Sequence, residues 1–314
     1  MPLALNKTSL IGWIGFWSFC CLFVAPLPAE EPGESAKPPE KPFQLVVMDP
    51  LSKPLSCDCV QGYAQRQYEA LEKHLEKALG RPVDIIWNAS LAQAVKETDG
   101  RADLVIGKHS VVLYDAAKMK REFVPVASLS GSLGDITQTG LLVVRSQDSA
   151  KEVADLKGYR ILFGPEDAAE KSAAAVALLK ANGVTVPEKK ETFGACSEAA
   201  VALLKLPEST DAAAVISSYA EPLLEGCGSV KKGDLRVVGK TDPIPFVVAF
   251  CPKDQPADLR DAVEQALASV AEDVQLKMDL ETLDGFVPWK QLEEKSQDET
   301  ADSDDDSSAS VKKN

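Results

Sequence analysis

The sequence predicts an α/β protein of two lobes, each a mostly parallel sheet flanked by helices, with a hinged cleft between them. Apolar strand-like runs alternate with helix-like runs, and this alternation favours parallel sheets with helices on both faces. The alternation restarts after residue 145 and the chain returns near 244–251, which indicates two crossings between the lobes. We expect lobe 1 at 43–140 plus 246–290 and lobe 2 at 141–245.

The first 29 residues have the pattern of a signal peptide. An apolar run from Ser9 to Val24 is followed by a small residue, Ala29, at a candidate cleavage point. The alternative is an uncleaved membrane anchor, for which the run is short, because a span needs about 20 residues. We expect cleavage and therefore a periplasmic or otherwise exported protein.

Two further segments are too polar to fold by themselves. Residues 30–42 are Pro-rich and predict a linker, and residues 291–314 are acidic and Ser-rich and predict a disordered tail. The tail carries much of the net charge of −14, so this charge says little about a pocket. It does argue against nucleic acid as a partner.

Elements of the first half follow from their apolar patterns. Strands are predicted at "FQLVVMDP", "VDIIWN", "ADLVIG", "FVPVASL" and "TGLLVVR". Apolar residues at helical spacing from Val60 to Leu79 predict a first helix, which Gly80 ends. Shorter helices are expected from Ser90 to Glu97 and over 111–119.

The second half repeats this order. Strands are predicted at "YRILFGP", "KKETFGA", "AAAVISSYA", "LRVVGKTD" and "PFVVAFC". Ser172 and Ser197 are positioned to begin helices that run to Ala181 and Leu206, and a last helix is expected over 258–271.

Sequence signatures of catalysis are missing. The chain has no G-x-S-x-G, H-E-x-x-H, Walker or G-x-G-x-x-G motif. Its two histidines, His74 and His109, do not pair with an evident nucleophile. We therefore expect no enzymatic activity and no cofactor.

The stretch "SCDCVQGY" lies in the loop after the first strand, on the side of the expected cleft. Cys57, Asp58 and Cys59 could bind a soft metal, but two thiolates need further ligands, and none is close in sequence. A disulfide between the two cysteines is disfavoured by geometry. We expect pocket or packing residues, and a metal- or redox-linked exported protein is the alternative.

The remaining cysteines suggest one bridge. Cys196 precedes a helix and Cys227 lies in the turn "EGCGS" of the same lobe, so they are the candidate pair for a disulfide. Cys251 ends an apolar strand and is expected to be buried.

Candidate ligand contacts come from the strand ends and helix starts that converge on the cleft. Ligands of open α/β sheets bind at the carboxyl ends of strands, and helix N-termini offer free N–H groups to anions. The expected contacts are Tyr63, Lys108, His109, Ser110, Thr137, Thr139, Ser172, Ser197, Ser217, Ser218 and Tyr219. Lys108 would supply a positive charge, and the hydroxyl groups would supply directional hydrogen bonds. The two tyrosines would form an apolar wall.

Several stretches resemble the phosphonate/phosphate-type substrate-binding proteins of ABC transporters, which have the type 2 periplasmic-binding (transferrin-like) fold. They are "GYAQRQYEALEKHLEKALGRPVDII", "GRADLVIGKHSVVLYDAAK", "TGLLVVRSQDSAKEVADLKGYRILFGPEDAAEKSAAAVALLKANGV", "FGACSEAA", "AAVISSYAEPLL" and "DGFVPW". The resemblance covers about residues 43–290.

This resemblance implies an exported receptor that captures a small anionic, phosphate- or phosphonate-like ligand for ABC-type uptake or sensing. An ABC permease is the implied partner, and the membrane is met only through the signal segment. The family often begins a helix with Ser/Thr-Ser/Thr-x-Gly, where "EDAAEKSAA" keeps only Ser172, and it often has Ser-His where this chain has Cys196 and Ser197. The identity of the ligand is left open.

Overall fold

The structure is a computed structural model that describes residues 41–57, 60 and 64–293. The expected signal peptide, most of the linker, and the tail beyond residue 293 lie outside the described residues, as do Asp58, Cys59 and Tyr63. Residues 291–293 are helical, so regular structure continues slightly past the expected end of lobe 1.

The strands match the apolar runs of the sequence, with three short additions. In chain order they are β1 (Phe43–Met48), β2 (Val83–Trp87), β3 (Leu104–Lys108), β4 (Phe123–Leu129), β5 (Thr137–Gln138), β6 (Gly140–Arg145), β7 (Arg160–Phe163), β8 (Glu191–Thr192), β9 (Ala212–Ser217), β10 (Leu235–Lys240), β11 (Ile244–Pro245), β12 (Val247–Pro252) and β13 (Phe286–Pro288).

The helices connect these strands. They are α1 (Glu69–Leu79), α2 (Leu91–Glu97), α3 (His109–Lys118), α4 (Ala173–Ala181), α5 (Cys196–Lys205), α6 (Ala220–Gly226), α7 (Ala257–Ala268) and α8 (Val274–Asp279). Within the described part of the chain, none of the helices is long and apolar enough to cross a membrane.

Two mixed sheets organise the two lobes. The six-stranded sheet has the order β13-β4-β12-β3-β1-β2, and the five-stranded sheet has the order β10-β6-β9-β7-β8. Strands β1, β2 and β3 are parallel, as are β7, β8 and β9, whereas β12 is antiparallel to β3 and β6 is antiparallel to β9. The predicted α/β fold is confirmed, and the sheets are mixed because β6 and β12 arrive directly from the other sheet without a helical crossover.

Two chain crossings join the sheets. The first leads from β4 through β5 to β6, and the second leads from β10 through β11 to β12. Strands β5 and β11 pair with each other antiparallel, with Gln138 opposite Ile244. The crossings therefore form one two-stranded ribbon. The lobe limits at 140/141 and 245/246 stay a prediction.

Both faces of each sheet are covered by an apolar core, as period-2 side-chain alternation requires. Leu45 and Val47 of β1 lie in one cluster, and Val46 and Met48 lie in another on the opposite face. The five-stranded sheet repeats this arrangement through successive residues of β6. Such double-faced burial explains why the strands read as continuous apolar runs.

The first helix begins at Glu69, nine residues later than its apolar spacing predicts. Ahead of this start, the buried Asp49 carboxylate accepts hydrogen bonds from the Leu51 N–H (2.9 Å), Arg66 (3.1 Å) and Tyr68 (2.7 Å). Val60 and Tyr68 lie before the helix and are buried in the core, which accounts for their place in the apolar pattern.

Candidate ligand-binding site

A cavity of about 250 Å³ lies where loops of the two lobes meet. The loop after β1 forms one wall, and the segments that precede α4, α5 and α6 form the other, with α6 itself. The lining residues are Pro50, Leu51, Leu55, Cys57, Val60, Lys171, Gly194, Ala195, Cys196, Ser197, Tyr219, Ala220, Leu223 and Leu224. Most of this surface is apolar, so the few polar groups in it determine which ligand fits.

Lys171 is the one charged side chain among the described residues that line the cavity. The residue is only 4% exposed, and its ammonium has no hydrogen-bond or ion-pair partner in the part of the chain that the structure describes. Its aliphatic portion runs past Gly164, where an added Cβ would lie 2.8 Å from the Lys171 Cε. A glycine at 164 thus lets the lysine reach the cavity.

The N-terminus of α5 meets the cavity beside Lys171. The N–H groups of Gly194 and Ala195 donate to the Glu198 carboxylate at 3.1 and 3.2 Å. Those of Cys196 and Ser197 belong to the first helical turn, so they have no acceptor within the helix. Free N–H groups and the positive end of the helix dipole favour a negative charge at this point.

Beneath the cavity, a buried network joins the two lobes. Lys108, at the end of β3, donates to Oε1 of Glu170 at 2.5 Å, and Ser217, at the end of β9, donates to the same oxygen at 2.5 Å. Glu170 is fully buried, and its Oε2 has no partner among the described residues. Burial alone would raise the pKa of Glu170, but the Lys108 charge and the two hydrogen bonds outweigh burial, so the pKa is lowered.

Cys196 and Tyr219 complete this network. The Cys196 sulfur accepts a hydrogen bond from the Ser217 N–H at 3.3 Å. The Tyr219 ring stacks on Phe246 with ring centroids 4.6 Å apart, and the Lys108 Nζ lies 5.9 Å from the Tyr219 centroid. Burial raises the pKa of Tyr219 well above its usual value, so the phenol stays neutral.

Nearer the surface, the segment before α4 also contacts α3. The Ser110 hydroxyl accepts from the Ala169 N–H at 3.2 Å, and the Tyr114 hydroxyl donates to the Glu166 carboxylate at 2.7 Å. Together with the Lys108–Glu170 pair, these bonds hold residues 166–170 of one lobe against β3 and α3 of the other.

The structure brings four of the predicted contacts together. Ser197 and Tyr219 line the cavity, while Lys108 and Ser217 lie in the buried network beneath it. Their contact with a ligand stays a prediction, and Tyr63 lies outside the described residues.

Other predicted contacts point elsewhere. The His109 ring stacks on Trp289 and is tilted against Phe250, with centroids 5.9 and 5.7 Å apart, and burial lowers its pKa. The Ser172 hydroxyl donates to the Glu166 carbonyl at 3.1 Å.

The remaining hydroxyls lie at the crossing ribbon. The Thr139 N–H donates to the Ser218 hydroxyl at 3.1 Å. Thr137 and Ser218 line a second hollow of about 660 Å³, which shares Leu51, Tyr219 and Leu223 with the cavity.

Sequence reasoning missed Glu170 and Lys171, the two most buried charges of this segment. Both occur in "EDAAEKS", which reads as a solvated turn because five of its residues are polar or charged. A usable signal was its position directly after β7, at the carboxyl end of a strand of the second sheet, where ligand-facing loops occur.

The cysteines do not form the predicted bridge. Cys196 contacts Ser217 in the interior, whereas Cys227 ends α6 at the surface and contacts the Ser229 hydroxyl at 3.0 Å. The expected Cys196–Cys227 disulfide is therefore absent, because the two thiols lie in different environments. Cys57 lines the cavity, while Asp58 and Cys59 lie outside the described residues. Among the residues that the structure describes, no group of three or more His, Cys, Asp or Glu side chains is arranged to hold a metal.

Two α/β lobes joined by paired crossings, with a small cavity between them, define the class of two-lobed periplasmic binding proteins. The family model for the periplasmic substrate-binding protein of phosphonate ABC transporters matches residues 61–298. The chain belongs to this family, which is a substrate-binding component of a transporter.

Solved structures agree on the fold. XAC2383 from Xanthomonas citri, solved with bound ATP, is 16% identical with a TM-score of 0.59, covering 79% of this chain and 91% of that one. PhnD1 from Prochlorococcus marinus, in complex with methylphosphonate, is 16% identical with a TM-score of 0.57, covering 83% and 98%. PA3383 from Pseudomonas aeruginosa, a binding component of a phosphonate transporter, is 13% identical with a TM-score of 0.56, covering 79% and 82%. A comparison with curated proteins finds no match.

Proposed function

We propose that this protein captures a small anionic solute in the cavity between its lobes. The observation that carries this proposal is Lys171, a largely buried residue that lines the cavity and whose ammonium has no partner in the described part of the chain. A positive charge with little water around it and no partner favours a negative group at this point. The α5 N-terminus adds a second preference of the same sign.

The cavity restricts the solute to a small molecule. Its volume of about 250 Å³ lies at the low end of ligand sites, and its walls are mostly leucine, valine, proline and alanine. A compact anionic head beside Lys171, attached to a short apolar group, suits these walls. Methylphosphonate, which PhnD1 binds, has this chemistry.

Membership of a periplasmic family supports export, through cleavage of residues 1–29, and delivery of the solute to an ABC-type permease. Sensing is the other use of such a receptor. The Cys57-Asp58-Cys59 alternative has no support among the described residues.

Native mass spectrometry of protein taken from its host tests for a retained small anion. Isothermal titration calorimetry with methylphosphonate then compares the wild type with Lys171→Met. A charge-assisted contact contributes about 1.5–3 kcal/mol, so we expect the substitution to weaken binding by about ten- to a hundredfold.

The matched control is Lys180→Met, which removes an exposed lysine at the end of α4. This variant should bind as the wild type does. Equal affinities of the Lys171→Met variant and the wild type would contradict the proposed site.

A further inference from the structure

Glu170 is an anion of the protein itself that is held between the two lobes. Its carboxylate accepts hydrogen bonds from Lys108 of one lobe and Ser217 of the other, both at 2.5 Å. A cation and a hydroxyl from opposite lobes are the donors that a ligand carboxylate or phosphonate would otherwise use. These two donors are therefore already taken.

The backbone around Glu170 keeps its carboxylate in place. The Lys171 N–H donates to the Ala168 carbonyl at 2.9 Å, and the Gly164 N–H donates to the Lys171 carbonyl at 3.1 Å. On the other side, the Glu170 carbonyl lies so close to Gly140 that no Cβ would fit there. With the side chain fully buried, Glu170 has little freedom to leave its partners.

The charged side chains among the described residues determine the electrostatics of the site. Lys108 and Lys171 supply two positive charges, and Glu170 supplies one negative charge, which leaves a net charge of +1. Asp49 and Arg66 pair with each other, and Glu198 is exposed at the α5 N-terminus, where solvent screens it. One further negative charge would neutralise the site, and a second would be left without a cation.

We infer that Glu170 is a specificity-determining residue that restricts the cavity to solutes with a single negative charge. This inference rests on the proposed capture of an anion beside Lys171 and extends it to the charge of the solute. A dianion would bring its second charge towards a buried carboxylate, and such like-charge juxtaposition discriminates strongly between ligands.

Methanesulfonate and sulfate form a suitable pair of probes, because they are similar in size and differ mainly by one negative charge. Isothermal titration calorimetry at constant ionic strength is preferable to thermal shift, since sulfate stabilises proteins non-specifically. The wild type should bind methanesulfonate at least about tenfold more tightly than sulfate.

One variant changes the net charge of the site, and a second variant restores it. Glu170→Gln raises the net charge to +2 and should shift the preference towards sulfate by about tenfold or more. The double variant Lys108→Met/Glu170→Gln returns the net charge to +1 and should restore the preference of the wild type. Circular dichroism confirms that each variant is folded. If Glu170→Gln does not fold, Lys171→Met lowers the net charge to zero without breaking the Lys108–Glu170 pair and should weaken both anions.

The outcomes separate this inference from the proposed function. An unchanged ratio in Glu170→Gln, or a wild type that prefers sulfate, overturns the role of Glu170 while anion binding stands. Failure of the wild type to bind either probe overturns the inference, while the titration with methylphosphonate decides the proposed function separately.

Discussion

The Lys108–Glu170 pair connects the two lobes at a high desolvation cost. Both side chains leave water almost completely, and removing charges from water costs several kcal/mol for each ion. The Ser217 hydroxyl supplies a further hydrogen bond that offsets part of this cost. Oε2 of Glu170 remains without a partner in the described part of the chain, so the pair is not optimised for stability.

The ionisation of Glu170 predicts a dependence of stability on pH. The pKa of Glu170 is lowered in the folded protein, so its ionised form stabilises the fold above the unfolded pKa of about 4.3. This contribution is lost as the pH falls through the folded pKa. At pH 7 we expect Glu170→Gln to lower the free energy of unfolding by about 3 kcal/mol. The difference should begin to shrink as the pH falls below the unfolded pKa and should be smallest below the lowered folded pKa, where Glu170 becomes a neutral acid similar to glutamine.

Urea unfolding of both proteins between pH 7 and pH 3 measures this difference. Glu122→Gln is the control, because it breaks an exposed pair with Lys253 and should cost less than about 1 kcal/mol. A difference between Glu170→Gln and wild type that stays constant with pH would show that charge is not the cause.

Single residues were predictable from sequence where a strand end fixed their position. Lys108 and Ser217 were found in this way, since each ends a continuous apolar run. Ser172 was correctly predicted to begin a helix, but the bond from its hydroxyl to the Glu166 carbonyl is a local choice that has no sequence signature, and its contact with a ligand stays a prediction. Glu170 and Lys171 were missed because burial of adjacent charges depends on partners that are distant in sequence, such as Lys108.

At the scale of elements, the segment between β7 and α4 determines the geometry of the site. It carries Glu166, Glu170 and Lys171, and it packs on the start of β6 through Gly140. Any side chain at 140 would displace this segment, because its Cβ would overlap the Glu170 carbonyl oxygen.

Gly140→Ala therefore tests the position of this segment. The backbone must move to admit the methyl group, and we expect the free energy of unfolding to fall by about 2 kcal/mol, within the range for overpacking. Thermal unfolding measures the change. Gly226→Ala is the matched control, since no atom lies within 4 Å of an added Cβ there, and it should be neutral or slightly stabilising. Equal effects of the two substitutions would rule out the close approach.

Most elements could be predicted because apolar patterns report burial directly. The major strands appear where continuous apolar runs occur, with both faces covered. The start of α1 could not be predicted, because Asp49 organises the preceding loop through partners up to 19 residues away. Helix α6 was missed because it is short and includes Pro222, which interrupts any helical pattern.

For the whole molecule, two contacts between lobes lie outside the lining of the cavity. The β5–β11 ribbon joins the lobes on one side, and the bond from Tyr114 to Glu166 joins them near the surface. In a hinged receptor, ligand affinity includes the free energy of bringing the lobes together. A hydrogen bond between the lobes should therefore alter the affinity for the ligand even where its two residues do not contact the ligand.

Tyr114→Phe removes one such bond and leaves the cavity unchanged. An exposed hydrogen bond contributes about 0.5–1 kcal/mol, so we expect affinity for the bound anion to fall by about two- to fivefold. Calorimetry measures this change. Tyr159→Phe is the control, because Tyr159 donates to Asp148 within one lobe at 2.8 Å and should affect stability alone. A similar loss of affinity in both variants would contradict the role of the contact between lobes.

The two-lobed architecture was predictable because the βα alternation restarts and the chain returns. The mixed direction of the strands was not predictable, since the strands that pair with β6 and β12 depend on where each crossing enters a sheet. The charge balance of the site was also not predictable, because it depends on the pairing of Lys108 at the end of β3 with Glu170, 62 residues later.

One consequence of the strand order concerns protein engineering. Strands β6 to β10 follow one another without leaving the five-stranded sheet, whereas the six-stranded sheet is assembled from both ends of the chain. A chimaera made with relatives therefore needs only two junctions, near β5 and β11, to transplant Glu170, Lys171 and Cys196 together. Lys108 would stay behind, so compatibility of the donor with this lysine would decide whether the hybrid folds.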